Sequence, residues 1–150
     1  MAIIKEADIK VRSVIDNLTP SGLPDGDPEI TEAVASGFIH YTEDKLMLTY
    51  TENTDTGKVF SEITVESGKV SVIRHGAIES CMVFFEDGTP HDSLYEIPPY
   101  KFDVRVRARK IRCSLTKNGG ALDIFYDMRI GGADKSVRMR LNVTTGTKTA

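Results

Sequence analysis

The sequence contains no tryptophan, only two cysteines and no long uninterrupted apolar segment. Cys81 and Cys113 lie 32 residues apart, without a C-x-x-C pair or a histidine at metal-ligand spacing, so no zinc motif or disulfide framework is indicated. We expect two buried, unpaired thiols in a reducing compartment. Four charged residues fall within residues 1–11, where a signal peptide requires an apolar stretch. The sequence therefore predicts a cytoplasmic protein without a membrane span.

Motifs of the common catalytic classes are absent as well. The sequence lacks a G-x-S-x-G element, an H-E-x-x-H element and a phosphate-binding loop. His40, His75 and His91 fall on separate predicted elements, without the spacing of a zinc motif. Asp123 and Asp127 fall on the predicted solvent face of one strand, where we expect them to be solvated. We therefore predict no catalytic residue, no metal site and no cofactor, and we favour a non-enzymatic role.

The sequence does contain a strict two-residue alternation, which is clearest in its last third. Apolar residues occupy even positions over 122–130 and odd positions over 137–143, with a Gly-Gly turn between them. Because successive side chains of a strand point to opposite faces, this period predicts strands with one face in a core and the other in water. Turn signals recur through the middle of the chain at spacings of about 8 to 12 residues, which extends the pattern to most of the sequence.

Three features interrupt the alternation. Residues 18–28 contain three of the six prolines and are expected to form a loop. This loop is either a rim lid over a cavity or, as we favour, a plain surface insertion. Apolar residues change from even to odd positions within 100–117, which predicts a β-bulge near residues 109–110. Gly37, inside a predicted strand, suits a bulge or a sharp bend.

Closure into a barrel is the best way to protect the edges of so many short strands. The sequence therefore predicts a single all-β domain over residues 1–150, an antiparallel up-and-down β-barrel of about eight to ten strands. A barrel of this size either fills with side chains or holds one small ligand. The predicted inward residues are apolar or aromatic: Leu46, Leu48, Tyr50, Ile63, Val65, Val70, Val72, Leu122, Ile124, Tyr126 and Met128.

Five segments, spread over nearly the whole chain, are distinctive in their residue order: 50–57, 67–76, 80–84, 91–98 and 122–126. They resemble the YwiB family of small, cytoplasmic, functionally uncharacterised bacterial proteins. The resemblance implies a calycin-like, lipocalin-related β-barrel, and it implies no function. The lipocalin Gly-x-Trp signature is missing, since the chain has no tryptophan.

Three short elements of that family can be matched position by position. Its Arg-x-Gly, Ser-x-Met-x-Phe and His-x-Ser-x-Tyr elements fall on Arg74 and Gly76, on Ser80, Met82 and Phe84, and on His91, Ser93 and Tyr95. The chain departs from the family at residues 97–100, which read Ile-Pro-Pro-Tyr where Thr-Pro-Tyr-Gly is frequent, and at position 81, where a basic residue is common.

Arg74 is the residue that most strongly indicates a binding site. It shares a strand face with Val70 and Val72, so it points into the lumen if they do, and an arginine there needs an acceptor. The acceptor is either an internal carboxylate or the acidic head group of a ligand. Our leading hypothesis is a small apolar or amphipathic ligand inside the barrel. The candidate ligand-binding residues are Arg74, Ser80, Met82, His91, Tyr95 and Tyr126.

The distribution of charge supports an alternative. Residues 1–98 carry 7 basic and 18 acidic side chains, a net charge of −11, whereas residues 99–141 carry 11 and 4, a net charge of +7. Either the two sets pair across strands, or the basic strands bind an acidic protein partner or nucleic acid. A pI near 5.6 and few aromatics among the arginines disfavour nucleic acid. The candidate basic face consists of Arg105, Arg107, Arg109, Arg138 and Arg140.

Overall fold

Ten antiparallel strands form the structure, a computed structural model that describes residues 2–145. Each strand pairs with its neighbour in the chain, and the first pairs with the last, so the sheet closes into an up-and-down barrel. The predicted all-β barrel of eight to ten strands is confirmed. The strands are β1 (Ile3–Asn17), β2 (Glu29–Tyr41), β3 (Lys45–Thr54), β4 (Gly57–Glu66), β5 (Lys69–Gly76), β6 (Glu79–Phe85), β7 (His91–Ile97), β8 (Tyr100–Cys113), β9 (Gly119–Ile130) and β10 (Ala133–Thr145).

The inward residues of the strands form a single apolar core. Nine of the eleven side chains predicted to point inward are buried, and Val65 and Met128 are partly buried against them. Burying each such side chain contributes roughly 1.5–3 kcal/mol to folding. The tightest packing lies at one end of the barrel, here called the packed end, where the least exposed residues are Leu48, Ile63, Val70, Leu122 and Leu141. The opposite end, which carries residues 18–28, is called the loop end.

The predicted change of parity in β8 is confirmed as a β-bulge. The pairing of β8 with β9 shifts between Ala108 and Lys110, so Arg109 is the extra residue. Before the bulge Val106 and Ala108 are buried, and after it the inward position passes to Ile111. The inserted residue points outward, and the Nε atom of Arg109 lies 2.8 Å from an Asp127 carboxylate oxygen. The bulge therefore keeps the core face continuous along a long, bent strand.

Gly37 is not a bulge, because the pairing of β1 with β2 runs past it without a shift. It is instead the point at which β2 parts from β3, since only residues 37–41 of β2 pair with that neighbour. A Cβ atom on Gly37 would lie 2.0 Å from the carbonyl oxygen of Thr49 and 2.9 Å from the Cβ of Tyr50. Glycine is therefore required by the close approach of two backbones.

Residues 18–28 form a loop, as predicted, and the loop is a surface insertion. The Leu18 N–H donates to the carbonyl of Asp134 at 3.0 Å, and the Asp25 N–H donates to the carbonyl of Asn17 at 2.7 Å. Leu18, Thr19, Pro20 and Gly22 lie along the outer face of the barrel, beside the arginines of β8. The loop therefore does not act as a lid over the barrel interior.

Both cysteines are exposed and free, so the expectation of buried thiols is wrong. Cys81 lies on β6 between the inward Ser80 and Met82, which places its side chain outside the barrel. Cys113 has inward parity after the bulge, but it is the last residue of β8, where the sheet no longer covers it. A residue of inward parity can therefore still be exposed when it lies at the end of a strand.

Candidate ligand site

A cavity of about 520 Å³ opens at the loop end of the barrel. Its volume falls in the range of about 300–1,000 Å³ that is typical of small-molecule sites. The barrel is therefore filled at the packed end and hollow at the loop end. The apolar and aromatic side chains that line the cavity include Val72, Met82, Phe84, Tyr126, Val137 and Met139.

A transverse row of polar side chains crosses the barrel wall, and three of its members, Arg74, Ser80 and Tyr95, line this cavity. Successive cross-strand pairs place Tyr50, Ser61, Arg74, Ser80 and Tyr95 at a single level of β3 to β7. All five are buried or half-buried among the core side chains. Directly opposite residues of antiparallel strands have Cβ atoms about 4.5–5.5 Å apart, so their side chains are in reach of one another. The alternation of the strands thus assembles a polar row inside an apolar barrel.

Arg74, at the centre of the row, has no carboxylate partner. No Asp or Glu oxygen of residues 2–145 lies within 4.0 Å of its guanidinium, so the internal salt bridge considered above is not formed. The guanidinium has five N–H donors and is half-buried. A partly desolvated cation without a carboxylate partner is unfavourable, which makes Arg74 receptive to an anion from outside.

Two hydroxyl groups near Arg74 have few partners. The Tyr50 and Ser61 oxygens are buried opposite each other, and neither has a hydrogen-bond partner outside this pair within the described chain. Burial raises the pKa of Tyr50 to about 12, and the nearby Arg74 opposes this rise. Burial likewise raises the pKa of Tyr126 to about 12, again opposed by Arg74. At neutral pH both phenols are protonated donors close to the guanidinium, so the group as a whole is suited to an anion.

A second opening, here called the slot, lies between β2 and β3. Because β2 parts from β3 at Gly37, the preceding residues of β2 leave a gap of about 170 Å³ in the barrel wall. Arg74 lines both the slot and the cavity, and Glu52 of β3 lines the slot. The side opening and the end cavity therefore share the guanidinium of Arg74 in their linings.

The structure brings together five of the six candidate ligand-binding residues. Arg74, Ser80, Met82, Tyr95 and Tyr126 all line the cavity, whereas His91 does not. The sequence analysis missed Ser61, Glu52 and Phe84 as site residues. Their signal was nevertheless present, because each has the same parity as the core residues of its strand.

His91 lies at the beginning of β7, near the packed end. Its Nδ1 accepts a hydrogen bond from the Val83 N–H at 3.3 Å. The pairing of β6 with β7 comprises only Glu79 with Glu96 and Ser80 with Tyr95. The imidazole therefore substitutes for a backbone acceptor where the ladder is interrupted, which is a structural role.

The arginines of the predicted basic face point outward, and three of the five are ion-paired. Arg105 makes a bidentate contact with Asp92 at 2.7 and 3.0 Å, which holds the pKa of that carboxyl below its usual value. Arg109 pairs with Asp127 at 2.8 Å and Arg140 with Asp123 at 3.7 Å. Asp123 and Asp127, which were expected to be solvated, are thus ion-paired with arginines of neighbouring strands.

The other two arginines, Arg107 and Arg138, have no ion pair with residues 2–145. The same part of the chain has no group of three or more His, Cys, Asp or Glu side chains that could hold a metal ion. It also has no helix long and apolar enough to cross a membrane.

Comparison with known proteins identifies the family. The family model "Domain of unknown function (DUF1934)" matches residues 9–142. The chain belongs to the DUF1934 family. It is 29% identical over 123 residues to the "Uncharacterized beta-barrel protein YwiB" of Bacillus subtilis (strain 168), covering 82% of this chain and 81% of that protein. The crystal structure of the ywiB protein from Bacillus subtilis matches with a TM-score of 0.82 at 27% identity, covering 96% and 94% of the two chains. The resemblance to the YwiB family is confirmed.

In this DUF1934 barrel, the Arg-x-Gly element has a clear physical basis. Arg74 enters the polar row, and two residues later Gly76 ends β5 with a φ of 115°, which disfavours any side chain. A Cβ atom there would lie 2.3 Å from the carbonyl oxygen of Lys58. The same short segment therefore positions the guanidinium of Arg74 and allows the backbone at the end of β5 to lie close to β4.

Proposed function

We propose that this protein binds one small amphipathic molecule with an acidic head group inside the barrel, with Arg74 as the anion-binding residue. One observation carries the proposal: a half-buried guanidinium without a carboxylate partner in residues 2–145 borders a cavity whose walls are mostly apolar, with Glu29 and Lys135 as the other charged lining residues. The calycin-like ligand binding suggested by the family resemblance, and a cytoplasmic location, are parts of the same proposal.

The head group and the body of the ligand would contact different parts of the site. A carboxylate accepts two parallel N–H bonds from Arg74, and Ser80 and Tyr126 supply further hydroxyl donors. The apolar body packs against Val72 and Phe84 deeper in the cavity. A hydrogen bond to a charged group contributes about 1.5–3 kcal/mol. Each buried methylene contributes about 0.8 kcal/mol, so both parts are needed for tight binding.

Calorimetric titration with matched ligands tests this proposal. Hexanoate, octanoate and decanoate are compared with the alcohols of equal length. We expect each carboxylate to bind about 10- to 100-fold more tightly than its alcohol, as a charged hydrogen-bonded contact implies. Arg74→Met should remove this preference, whereas Arg112→Met, on the outer face of β8, should keep it. Absence of saturable binding, or an undiminished preference in Arg74→Met, would contradict the proposal.

The alternative function is an accessory protein whose outer basic face binds an acidic protein partner. Arg107 and Arg138 favour it, because they are exposed and have no ion pair within residues 2–145. Charge reversal at Arg105, Arg107, Arg138 and Arg140 should then abolish a salt-sensitive co-purification with that partner. If nucleic acid co-purifies instead, as judged by mass analysis, the basic face serves nucleic-acid binding.

A further inference from the structure

We propose that the head group of the cavity ligand is zwitterionic, with its carboxylate at Arg74 and an ammonium group at Glu52 in the slot. The ligand class is then an α-amino acid with a long apolar side chain. This inference rests on the proposed function, because it specifies the head group of the same ligand. It adds a cation-binding subsite to the anion-binding one.

The register of the barrel places Glu52 and Arg74 at neighbouring levels of one wall. Glu52 has the inward parity of Leu48 and Tyr50 on β3, and it is paired with Val59 of β4. Arg74 lies on the next strand, β5, opposite Ser61 of β4. Two strand spacings and two residues thus separate their Cα atoms, a distance of about 12 Å, which two long side chains span comfortably.

Both charges act on the same buried hydroxyl. Glu52 raises the pKa of Tyr50 and Arg74 lowers it, in a site where burial is the largest influence. The phenol itself is buried behind the slot, and its oxygen has no hydrogen-bond partner beyond the opposing Ser61 within residues 2–145. The Glu52 carboxylate and the Arg74 guanidinium both line the slot, and the guanidinium also lines the cavity.

Glu52 and Arg74 carry opposite charges and line the same slot, but they do not form an ion pair with each other. Neither Glu52 nor Arg74 has an ion-pair partner within 4.0 Å in the described chain. A ligand that carries both charges on adjacent atoms satisfies the two side chains at once. A plain carboxylic acid satisfies only Arg74 and is repelled by Glu52, so the pair selects for the zwitterion.

The wall opposite Glu52 supplies further acceptors for an ammonium group. Residues 29–36 of β2 pair with β1 but not with β3, so their main-chain groups on the slot side have no strand partner in the described structure. Thr31 and Ala33 of this segment line the slot. An ammonium group has three N–H donors, which Glu52 and free carbonyl groups can accept together.

The sizes of the two spaces agree with this division of the ligand. The slot, at about 170 Å³, accommodates a small polar group, whereas the cavity, at about 520 Å³, accommodates an apolar chain. The junction at Arg74 then holds the carboxylate between them. An α-amino acid has this arrangement of three substituents on one carbon.

Calorimetry with wild-type protein and two variants tests the inference. The best-binding carboxylate among hexanoate, octanoate and decanoate is compared with its α-amino derivative. We expect the amino derivative to bind at least about 10-fold more tightly to wild-type protein, as one additional charged contact implies. Glu52→Gln should abolish this advantage and leave the binding of the plain carboxylate unchanged or improved. Glu62→Gln, on the neighbouring strand β4 but of outward parity, is the matched control and should keep it.

The outcomes separate this inference from the proposed function. If the plain carboxylate binds but the amino group brings no advantage, or if the advantage persists in Glu52→Gln, the zwitterion assignment is overturned and the proposed function stands. If neither compound binds to wild-type protein, both are overturned. Circular dichroism establishes that Glu52→Gln remains folded, so that a loss of the advantage reports on the subsite itself.

Discussion

Ser61 and Arg74 face each other across the β4–β5 ladder inside the barrel. The Ser61 side chain is fully buried and its hydroxyl has no hydrogen-bond partner beyond the opposing Tyr50 phenol among the described residues, and Arg74 has no carboxylate partner there. Polar groups left unsatisfied in a core reduce stability by about 1–3 kcal/mol each. An apolar pair at these positions would fold better, and the proposed ligand would supply the acceptors that the guanidinium lacks.

Replacing Arg74 with methionine should therefore not destabilise the fold. Methionine fills a similar space without a charge, and we expect the free energy of unfolding to stay the same or to rise by up to about 2 kcal/mol. Urea denaturation monitored by circular dichroism measures this change. A loss of more than about 1 kcal/mol would instead show that the guanidinium supports the structure through contacts such as ordered water.

Tyr50 and Tyr126 should lose their phenolic protons only at strongly alkaline pH. Their pKa values are raised to about 12, mainly by burial, so spectrophotometric titration should show two phenols ionising well above the ordinary value of 10.0. The unfolded chain releases these protons at lower pH than the folded chain, so stability falls as pH rises from 10 towards 12.

The role of Arg74 in this titration can be separated from that of burial. Because its positive charge lowers both pKa values, Arg74→Met should shift the late phase further upward. Arg112→Met should leave that phase in place. Ionisation of all five tyrosines in one phase near the ordinary value would show that neither phenol is buried beside a cation.

Much of the fold could be predicted because alternation is a local property. Within each strand, the positions of the apolar residues show which side chains face inward. The change of parity in β8 accordingly indicated the bulge at Arg109. The polar row was also encoded, since Ser61, Arg74 and Ser80 have the inward parity of their strands. Alternation alone did not predict the exposure of Cys113, because this residue is the last of β8.

The slot could not be predicted, because it depends on contacts between distant parts of the chain. Its existence requires that β2 leave β3 at Gly37, and that point is fixed by the backbone of Thr49 on the next strand. The absence of an ion pair between Glu52 and Arg74 is equally non-local. Likewise His91 belongs to a family motif, but only the interrupted β6–β7 pairing reveals its structural task.

Gly37→Ala should destabilise the barrel and disturb the slot. The added methyl group would overlap the Thr49 carbonyl at 2.0 Å, and backbone cannot move aside as a flexible side chain can. We expect a loss of about 1–3 kcal/mol, as for other overpacked sites. Ser36→Ala, at the neighbouring outward position, is the control and should change urea stability little. Equal urea concentrations at the unfolding midpoint of the two variants would indicate that the backbones of β2 and β3 do not approach so closely.

Substitution of His91 should weaken the seam between β6 and β7. In His91→Ala the Val83 N–H loses its acceptor, and leaving this partly buried donor unpaired should destabilise the protein by about 1–3 kcal/mol. His75→Ala, which removes an exposed imidazole beside Glu79, is the matched control. Hydrogen exchange followed by NMR locates the effect. The Val83 amide should exchange faster in His91→Ala than in wild-type protein. The exchange rates of amides in the fully paired β4–β5 ladder should differ only by the change in global stability, so these amides serve as the internal reference. Unaltered protection of Val83 would mean that water replaces the imidazole without loss, and that the seam is held by its two ladder pairs alone.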